Sequence, residues 1–251
     1  LEREYPASYA EEWDNVGLLV GDDQKEVNKI FLALDLTEDT LNQAVSFGAD
    51  LIITHHPMIF SGLKKINNHS FTGRRIIKLL ENHMAYYAMH TNYDILGMAD
   101  LSADYLKLQK RTVLSETGQR DGHTEGLGRV GEVSHSMTLG EFAQFVKKSL
   151  KLMDVRVYGE MDRQIQKVAV CTGSGKSLMA DVLASGADVY VTGDVDHHTG
   201  IDAVADGLAV IDAGHYGTEY IFVEAMKEKL ESQFGELEIQ GSQIRFPYQN
   251  I

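Results

Sequence analysis

The feature that most constrains the fold is an internal repeat. Residues 29–54 read KIFLALDLTEDTLNQAVSFGADLIIT, and residues 167–192 read KVAVCTGSGKSLMADVLASGADVYVT. The two segments align without a gap at an offset of 138, with five identities in 26 positions. Both read as strand, loop, helix, Gly-Ala-Asp turn and strand. The chain is therefore expected to contain two related β-α-β units, each with a right-handed crossover.

Local rules support this reading of the repeat. Thr37 can cap a helix that begins at Glu38. Gly48 and Gly186 stand where a helix ends and a left-handed residue is favoured. The strands that follow are apolar on both faces, which is typical of buried parallel strands.

The remaining chain fits the same α/β pattern. We predict an α/β fold of two related halves, residues 1–114 and 115–251, with β-α-β units, mixed sheets and a metal site between them. Thr138 and Glu141 have capping-box spacing for a helix. Residues 115–128 are polar and contain glycine, which predicts a loop. The other predicted elements are helices at 71–83, 139–150, 201–206 and 220–234, and strands at 85–89, 130–133, 155–158, 208–211 and 243–248.

Metal-type side chains follow the ends of the predicted strands. Two of the strands are each followed by a histidine with a carboxylate four positions later, and the first repeat ends on two adjacent histidines. Carboxyl ends of parallel strands are where α/β sheets place ligands. The side chains concerned are His55, His56, His90, Asp94, His215 and Glu219.

These residue types point to a divalent metal. Imidazole nitrogen and carboxylate oxygen suit zinc, iron and manganese. The groups are too many for one tetrahedral ion, whereas two ions about 3.5–4 Å apart would use them and leave positions for water. A single histidine at a strand end is usually only a polar loop residue. The adjacent pair His55 and His56, followed by Pro57, and the repeated spacing favour the metal interpretation.

A second cluster occupies the equivalent place in the second repeat, where residues 192–198 read TGDVDHH. It can supply a proton-transfer group or a partner that orients the metal ligands. The alternative is a helix N-terminus capped by polar side chains. Both interpretations stay open, and His198 is a better candidate than His197 for a chemical role.

Charge and cysteine content limit the functional classes. The formal net charge is −14, which disfavours direct nucleic-acid binding. The single cysteine, Cys171, excludes an internal disulfide and a thiolate-rich zinc site and fits a reducing, cytoplasmic compartment. No apolar run approaches the length of a membrane span, and no signal peptide is visible. The chain begins at Leu1, so we expect a few native residues to precede it.

Five motifs together resemble the Nif-three-like family, whose members are also called GTP cyclohydrolase I type 2 homologues. They are WDNVGLLVGD, ITHHPMIF, HTNYDI, TGDVDHHT and DAGHYGTE, and they occur in order over essentially the whole chain. The resemblance implies two divalent ions per chain, with Glu219 as the bridging ligand and with His90 and His198 beside the ions. The implied ligands are His55, His56, Asp94, His215 and Glu219.

The resemblance also implies a homohexameric ring whose metal sites face an internal cavity. Some members of the family carry an inserted domain between the halves. The short segment 115–128 leaves no room for it here. The family name implies a GTP cyclohydrolase-like activity, which is an expectation inherited from that name.

Two functional hypotheses follow. The first is a metal-dependent hydrolase that acts on a nucleotide or another small phosphate-containing substrate, with His90 or His198 moving protons. The second is a non-enzymatic, metal-loaded ring that delivers metal or acts as a scaffold for other proteins. A nucleotide screen of the metal-loaded protein separates the two.

Overall fold

A computed structural model describes residues 1–249 of the chain, which form two compact units. The first unit comprises Leu1–Tyr93 and Phe222–Arg245, and the second comprises Asp94–Ile221 and the described residues from Phe246 onward. The first unit is thus built from two separate stretches of chain. This division differs from the expected halves 1–114 and 115–251, because the C-terminal helix and strand return to the first unit.

The first unit contains a five-stranded mixed sheet in the order β1-β4-β3-β2-β11. The four strands from β4 to β11 are parallel, and β1 is antiparallel to β4. The strands are β1 (Gly17–Val20), β2 (Lys29–Ala33), β3 (Leu51–Thr54), β4 (Ala85–Ala88) and β11 (Glu238–Gly241). The helices that begin in or lead into this unit are α1 (Glu38–Phe47), α2 (Phe71–Glu81), α3 (Thr91–Tyr93) and α9 (Ile221–Gln233).

The second unit contains a six-stranded mixed sheet in the order β5-β6-β8-β9-β10-β7. Strands β8, β9 and β10 are parallel, and the other three are antiparallel to their neighbours. The strands are β5 (Gln109–Arg120), β6 (His123–Thr138), β7 (Arg156–Tyr158), β8 (Gln164–Ser174), β9 (Val189–Gly193) and β10 (Ala209–Asp212). The helices are α4 (Ala99–Tyr105), α5 (Leu139–Ser149), α6 (Met179–Ser185), α7 (His197–Ala205) and α8 (His215–Glu219).

The predicted repeat is confirmed by strand register. Ile30 pairs with Leu51 in the first unit, and Val168 pairs with Val189 in the second, and the offset of 138 holds at this pair and at the next two. The register of β8 shifts after Val170, so the fourth pair of the first unit has no counterpart in the second. Each unit then continues with a parallel third strand and an antiparallel edge strand, so β1-β4-β3-β2 matches β7-β10-β9-β8. The related halves therefore share a sheet topology as well as a sequence pattern.

One aspartate closes each repeat in the same way. The Asp50 carboxylate accepts hydrogen bonds from the backbone N–H groups of Asn28 and Lys29 at 2.9 and 3.0 Å. The Asp188 carboxylate does the same for Gln166 and Lys167 at 2.9 and 2.8 Å. The Gly-Ala-Asp turn thus ties the start of one strand to the start of the next.

The predicted helix caps are also confirmed. Thr37 and Thr40 form a capping box at the start of α1, and Thr138 and Glu141 form one at the start of α5. Gly48 ends α1 with a φ of 74°, in the left-handed region that favours glycine. The equivalent glycine at the end of α6 has a φ of 70°.

The central strand β9 of the second sheet is buried on both faces. Alternate residues of β9 belong to different apolar clusters: Val189 and Val191 pack with Phe142 of α5, whereas Tyr190 packs with Val182 of α6. Successive side chains on a strand point to opposite faces, so helices cover both sides of the strand. This is the arrangement predicted from the continuous apolar runs.

Two predicted segments were wrong. Residues 115–128 are not a loop but lie in a long hairpin of β5 and β6, which turns at Asp121 and Gly122 with φ of 51° and 83°. Most of this part of the hairpin is exposed, so it lacks the apolar alternation by which strands are detected. Residues 243–248 are not a strand; the C-terminal strand is β11, which pairs with β2.

None of the helices formed by residues 1–249 has the length and apolar composition that crossing a bilayer requires.

Candidate metal centre

Strands β3 and β4 bring three histidines together in the first unit. The two strands are parallel neighbours and end at Thr54 and Ala88, so the residues that follow them lie at the same edge of the sheet. His55, His56 and His90 each offer a ring nitrogen there, and these atoms lie within 4.8 Å of one another. We call these three residues the first-unit cluster.

His55 is fully buried and held in one tautomer. Its Nδ1 lies 2.8 Å from the carbonyl oxygen of Met89, which can only accept a hydrogen bond. Nδ1 is therefore the protonated nitrogen, and Nε2 of the neutral ring carries the lone pair that a metal needs. The Phe222 ring packs against the imidazole, with the two ring centroids 5.5 Å apart.

The other two histidines of this cluster are oriented by carboxylates. His56 Nδ1 lies 2.9 Å from Asp35 Oδ1, and His90 Nδ1 lies 2.9 Å from Asp14 Oδ1. An oxygen acceptor on Nδ1 leaves Nε2 as the lone-pair nitrogen in the neutral ring. Sequence reasoning missed both aspartates, although Asp14 lies in the WDNVGLLVGD motif.

Asp14 is held as an anion. Its side chain is fully buried, which alone would raise its pKa. Hydrogen bonds from His90 and from the Thr91 backbone N–H and hydroxyl outweigh burial and lower the pKa of Asp14 to about 2. The anion accepts a hydrogen bond from His90 Nδ1, so Nε2 is the proton-accepting atom of that ring.

Three further predicted ligands lie in the second unit. His215 and Glu219 occupy one face of α8, with His215 Nε2 at 3.1 Å from Glu219 Oε2, and Glu219 is almost fully buried. Asp94 begins the π-helical turn Asp94–Met98. His215 Nδ1 lies 2.7 Å from Asp194 Oδ2, so a carboxylate orients this histidine as well. We call Asp94, His215 and Glu219 the second-unit cluster.

A glycine at the end of β8 makes room for Glu219. Gly173 has a φ of 64°, and a Cβ there would lie 2.2 Å from Glu219 Oε1 and 3.5 Å from His215 Nε2. Its backbone N–H donates to Thr218 Oγ1 at 2.9 Å. Any larger residue would displace the carboxylate, so the TGSGKS segment shapes the second-unit cluster.

The pKa of Cys171 is affected by the carboxylates of the second-unit cluster. Burial raises the pKa of its thiol to about 12, and the negative charges of Asp94 and Glu219 contribute to the rise. A thiol with that pKa stays protonated at neutral pH. The second-unit cluster therefore offers two carboxylates and an imidazole as metal donors, and the neighbouring thiol is uncharged.

The structure places His198 at the second position of α7, where it is exposed and packs against His197 with ring centroids 5.2 Å apart. Asp196 caps this helix by accepting from the Thr199 N–H at 3.0 Å. The capped N-terminus that was one of the two interpretations is thus present. A chemical role for His198 stays a prediction, and Asp194 is the residue of this segment that contacts a predicted ligand.

The residues present fit a divalent cation. Each of the four candidate histidines has an oxygen atom at Nδ1, which in His55, His56 and His90 prepares Nε2 as the donor atom. In His215 the Nε2 atom also faces a carboxylate oxygen, Glu219 Oε2, at 3.1 Å. Imidazole nitrogen and carboxylate oxygen are the donor types that zinc, iron and manganese accept. The first-unit cluster is by itself a group of side chains that could hold a metal ion.

Comparisons with known proteins identify the family of this chain. The sequence model of the Duf34/NIF3 (NGG1p interacting factor 3) family matches residues 1–247. The chain belongs to the Duf34/NIF3 family. Among curated relatives, a Clostridium acetobutylicum protein named GTP cyclohydrolase 1 type 2 homolog is 38% identical over 90% of this chain and 85% of its own length.

Solved structures of the Duf34/NIF3 family share the fold. A Staphylococcus aureus hypothetical protein superposes with a TM-score of 0.91 at 32% identity, covering 100% of this chain and 96% of that chain. Reduced HcgD from Methanocaldococcus jannaschii gives a TM-score of 0.81 at 34% identity, covering 97% of this chain and 94% of that chain. The α/β fold with two mixed sheets is therefore that of the family.

Proposed function

We propose that this protein is a dinuclear divalent-metal hydrolase acting on a nucleotide or another small phosphate-containing substrate. The proposed ligands are His55, His56, Asp94, His215 and Glu219, with Glu219 bridging two ions of zinc, iron or manganese. The single observation that carries the metal-binding part of the proposal is the first-unit cluster, in which the ring nitrogens of the ligands His55 and His56 lie within 4.8 Å of each other and of a ring nitrogen of His90. The relatives named GTP cyclohydrolase 1 type 2 homolog make GTP the first substrate to test.

The imidazole and carboxylate ligands determine which ions can bind, and the bound ions would determine the reaction chemistry. A pair of divalent ions supplies Lewis acidity and positive charge at which phosphate oxygens bind. The chain's own contribution is to hold the donors rigid: His55 through Met89, His56 through Asp35 and His215 through Asp194. Fixed donors lose little conformational freedom on binding, which favours tight and selective ligation.

His90 is the proposed general base. Its Nε2 can accept a proton from an attacking water, and Asp14 stabilises the imidazolium that results by accepting from Nδ1. The hydrogen bonds that lower the pKa of Asp14 to about 2 keep this carboxylate an anion at neutral pH, as the role requires. His198, exposed on α7, is the proposed second proton carrier.

We further propose that the protein acts in the cytoplasm as a homohexameric ring. The family resemblance supports the ring, and the single cysteine is consistent with a reducing compartment. The net charge of −14 argues against direct nucleic-acid binding.

A nucleotide screen tests the hydrolase proposal. Protein reloaded with zinc, manganese or iron is incubated with GTP, other nucleoside triphosphates and monophosphates, and products are separated by chromatography. We expect turnover that a chelator abolishes and that His90→Gln reduces by about 10²–10⁴-fold. His69→Gln, a change of an exposed histidine, is the matched control and should keep full activity.

A negative result in the nucleotide screen would contradict the hydrolase proposal. If the protein binds its metals but converts none of the substrates, the hydrolase proposal fails. The non-enzymatic alternative of metal delivery or scaffolding then takes its place.

A further inference from the structure

Two exposed aromatic side chains flank His90. The Trp13 ring lies 5.8 Å from the His90 ring and the Phe60 ring lies 5.9 Å from it, measured between centroids. Both rings stand nearly perpendicular to the imidazole, at 74° and 85°. Trp13 is 61% exposed and Phe60 is 51% exposed, so large parts of both rings face solvent.

Hydrogen bonds hold the two segments that carry these rings. Asn15 donates from its side-chain amide to the carbonyl oxygen of Ile59 at 2.6 Å, which joins the segment of Trp13 to that of Phe60. Asp14, next to Trp13, is held by His90 and Thr91. Two aromatic rings that remain in water beside an oriented imidazole are a prepared apolar surface, because leaving them exposed has a hydrophobic cost.

We propose that Trp13 and Phe60 bind the planar nitrogen heterocycle of the substrate, a base of the purine class, beside His90. This inference rests on the proposed function for its substrate class and adds the residues that select the ring. The pair forms the base-binding surface, and His90 is the reactive group next to it.

Ring chemistry favours a heterocyclic base over other occupants. A purine has two flat π faces that stack on indole and phenyl rings, and stacking on an aromatic side chain is a substantial part of base affinity. Its polar edges stay available to water and to neighbouring hydrogen-bonding groups. An aliphatic ligand would gain the burial but not the stacking preference.

Trp13 is the only tryptophan in the chain, so its fluorescence reports on this surface alone. Metal-free and metal-loaded protein are titrated with guanosine and adenosine while emission is recorded. We expect saturable quenching with either nucleoside, because stacking brings the base onto the indole. Phe60→Ala should weaken the dissociation constant by roughly 5- to 150-fold while leaving the fluorophore in place.

The matched control is Phe71→Ala. Phe71 is 55% exposed in the same unit, where its ring packs against the Arg75 guanidinium. This variant should keep the wild-type dissociation constant. Phe60→Leu retains apolar bulk but has no π face. If stacking is the interaction, its dissociation constant for the nucleoside should be close to that of Phe60→Ala.

Three results would overturn the inference. Emission that does not saturate with either nucleoside excludes a base site, and tetramethylammonium that quenches as well as guanosine indicates a cation cage instead. If ligand-free Trp13 is shielded from acrylamide and Phe60→Ala dissociates an oligomer, the pair is a contact between copies of the chain. Turnover without quenching refutes this inference alone, and quenching without turnover refutes only the hydrolase proposal.

Discussion

At the residue scale, the chemistry of the site depends on what the Nδ1 atom of each histidine contacts. Asp35, Asp14 and Asp194 accept hydrogen bonds from His56, His90 and His215, over sequence separations of 21, 76 and 21 residues. A neutral histidine with a fixed Nδ1–H presents Nε2 as its donor atom. Asp35 and Asp14 therefore determine which atom of the His56 and His90 rings can reach a cation or a proton, whereas His215 contacts a carboxylate at both of its ring nitrogens.

The Asp14–His90 pair gives the first prediction. Asp14→Ala removes the acceptor of His90 Nδ1 and leaves the Thr91 donors without the carboxylate, so the free energy of unfolding should fall by about 1–3 kcal/mol. Urea unfolding measures this loss. The ¹⁵N chemical shifts of His90 should also change from a single Nδ1-protonated tautomer to a mixture of tautomers. Unchanged ring shifts would contradict the positioning role of Asp14.

The proposed bridging role of Glu219 gives the second prediction. A neutral amide is a poor bridging ligand, so Glu219→Gln should weaken both metal-binding events, whereas Asp94→Asn should mainly weaken one. Calorimetric titration of zinc into metal-free protein compares the two variants. Glu228→Gln, an exposed change on α9, should bind zinc like the wild type. Loss of one event only in Glu219→Gln would show that this residue is not the bridge.

Residue types could be predicted from sequence, whereas their partners could not. His55, His56 and His90 were recognisable because each follows an apolar strand. Asp14 and Asp35 follow no comparable rule, because nothing in a linear pattern shows which distant carboxylate faces which ring nitrogen. Asp194 adopts a left-handed backbone conformation with a φ of 56°. Its contact with His215 likewise could not be predicted, because it depends on how β9 and α8 are placed in the fold.

At the element scale, the repeated β-α-β unit places the candidate side chains at one edge of each sheet. Parallel strands end at the same side of a sheet, so the residues after β3 and β4 meet. The aspartate of the Gly-Ala-Asp turn fixes where each second strand starts. Asp50 and Asp188 accept the same pair of backbone N–H groups at an offset of 138.

The Asp50 carboxylate gives the third prediction. Partial burial raises its pKa, but hydrogen bonds from the Asn28 and Lys29 N–H groups and from Lys25 lower it below the usual 3.8. A lowered folded-state pKa means that the stabilisation is present above about pH 4 and is lost as the pH falls through the folded value. Asp50→Asn should therefore lose about 1–2 kcal/mol of unfolding free energy at pH 7.

The pH dependence supplies the check on Asp50. The difference between wild type and Asp50→Asn should shrink as the pH falls below about 4, measured by urea unfolding across a pH series. Asp23→Asn, which changes an exposed carboxylate, should leave the free energy of unfolding close to the wild-type value at every pH. A difference that stays constant down to acid pH would contradict a charge-dependent role.

Elements with periodic apolar patterns or caps could be predicted, and the hairpin of β5 and β6 could not. Helix α5 was recognisable from the spacing of Thr138 and Glu141. The hairpin is stabilised by backbone pairing between two largely polar strands, and such pairing leaves little trace in side-chain periodicity. Strand β11 escaped detection for a related reason: it is short, and its EIQG sequence is only partly buried at the sheet edge.

At the scale of the whole molecule, two units with the same core topology are elaborated differently. The first adds β11 beyond β2, and the second adds the β6-β5 hairpin beyond β8. The offset of the repeat predicted the shared topology. It could not predict that the first unit is completed by residues 222–245, because the return of a chain terminus depends on long-range pairing.

Assembly gives the fourth prediction. If the chain forms the proposed homohexamer, its mass in solution should be six times the chain mass of 27.9 kDa. Sedimentation equilibrium over a range of protein concentrations measures it directly. A single species at the mass of one or two chains over that range would refute the ring.

Elemental analysis shows directly whether this chain holds the two divalent ions that we propose. Protein purified without chelator, or stripped and reloaded with zinc, manganese or iron, is freed of excess metal and its metal-to-chain ratio is measured. We predict a ratio of about two, because the five proposed ligands suffice for a bridged pair of ions. A ratio that stays at one or zero after reloading with each of the three metals would contradict the account.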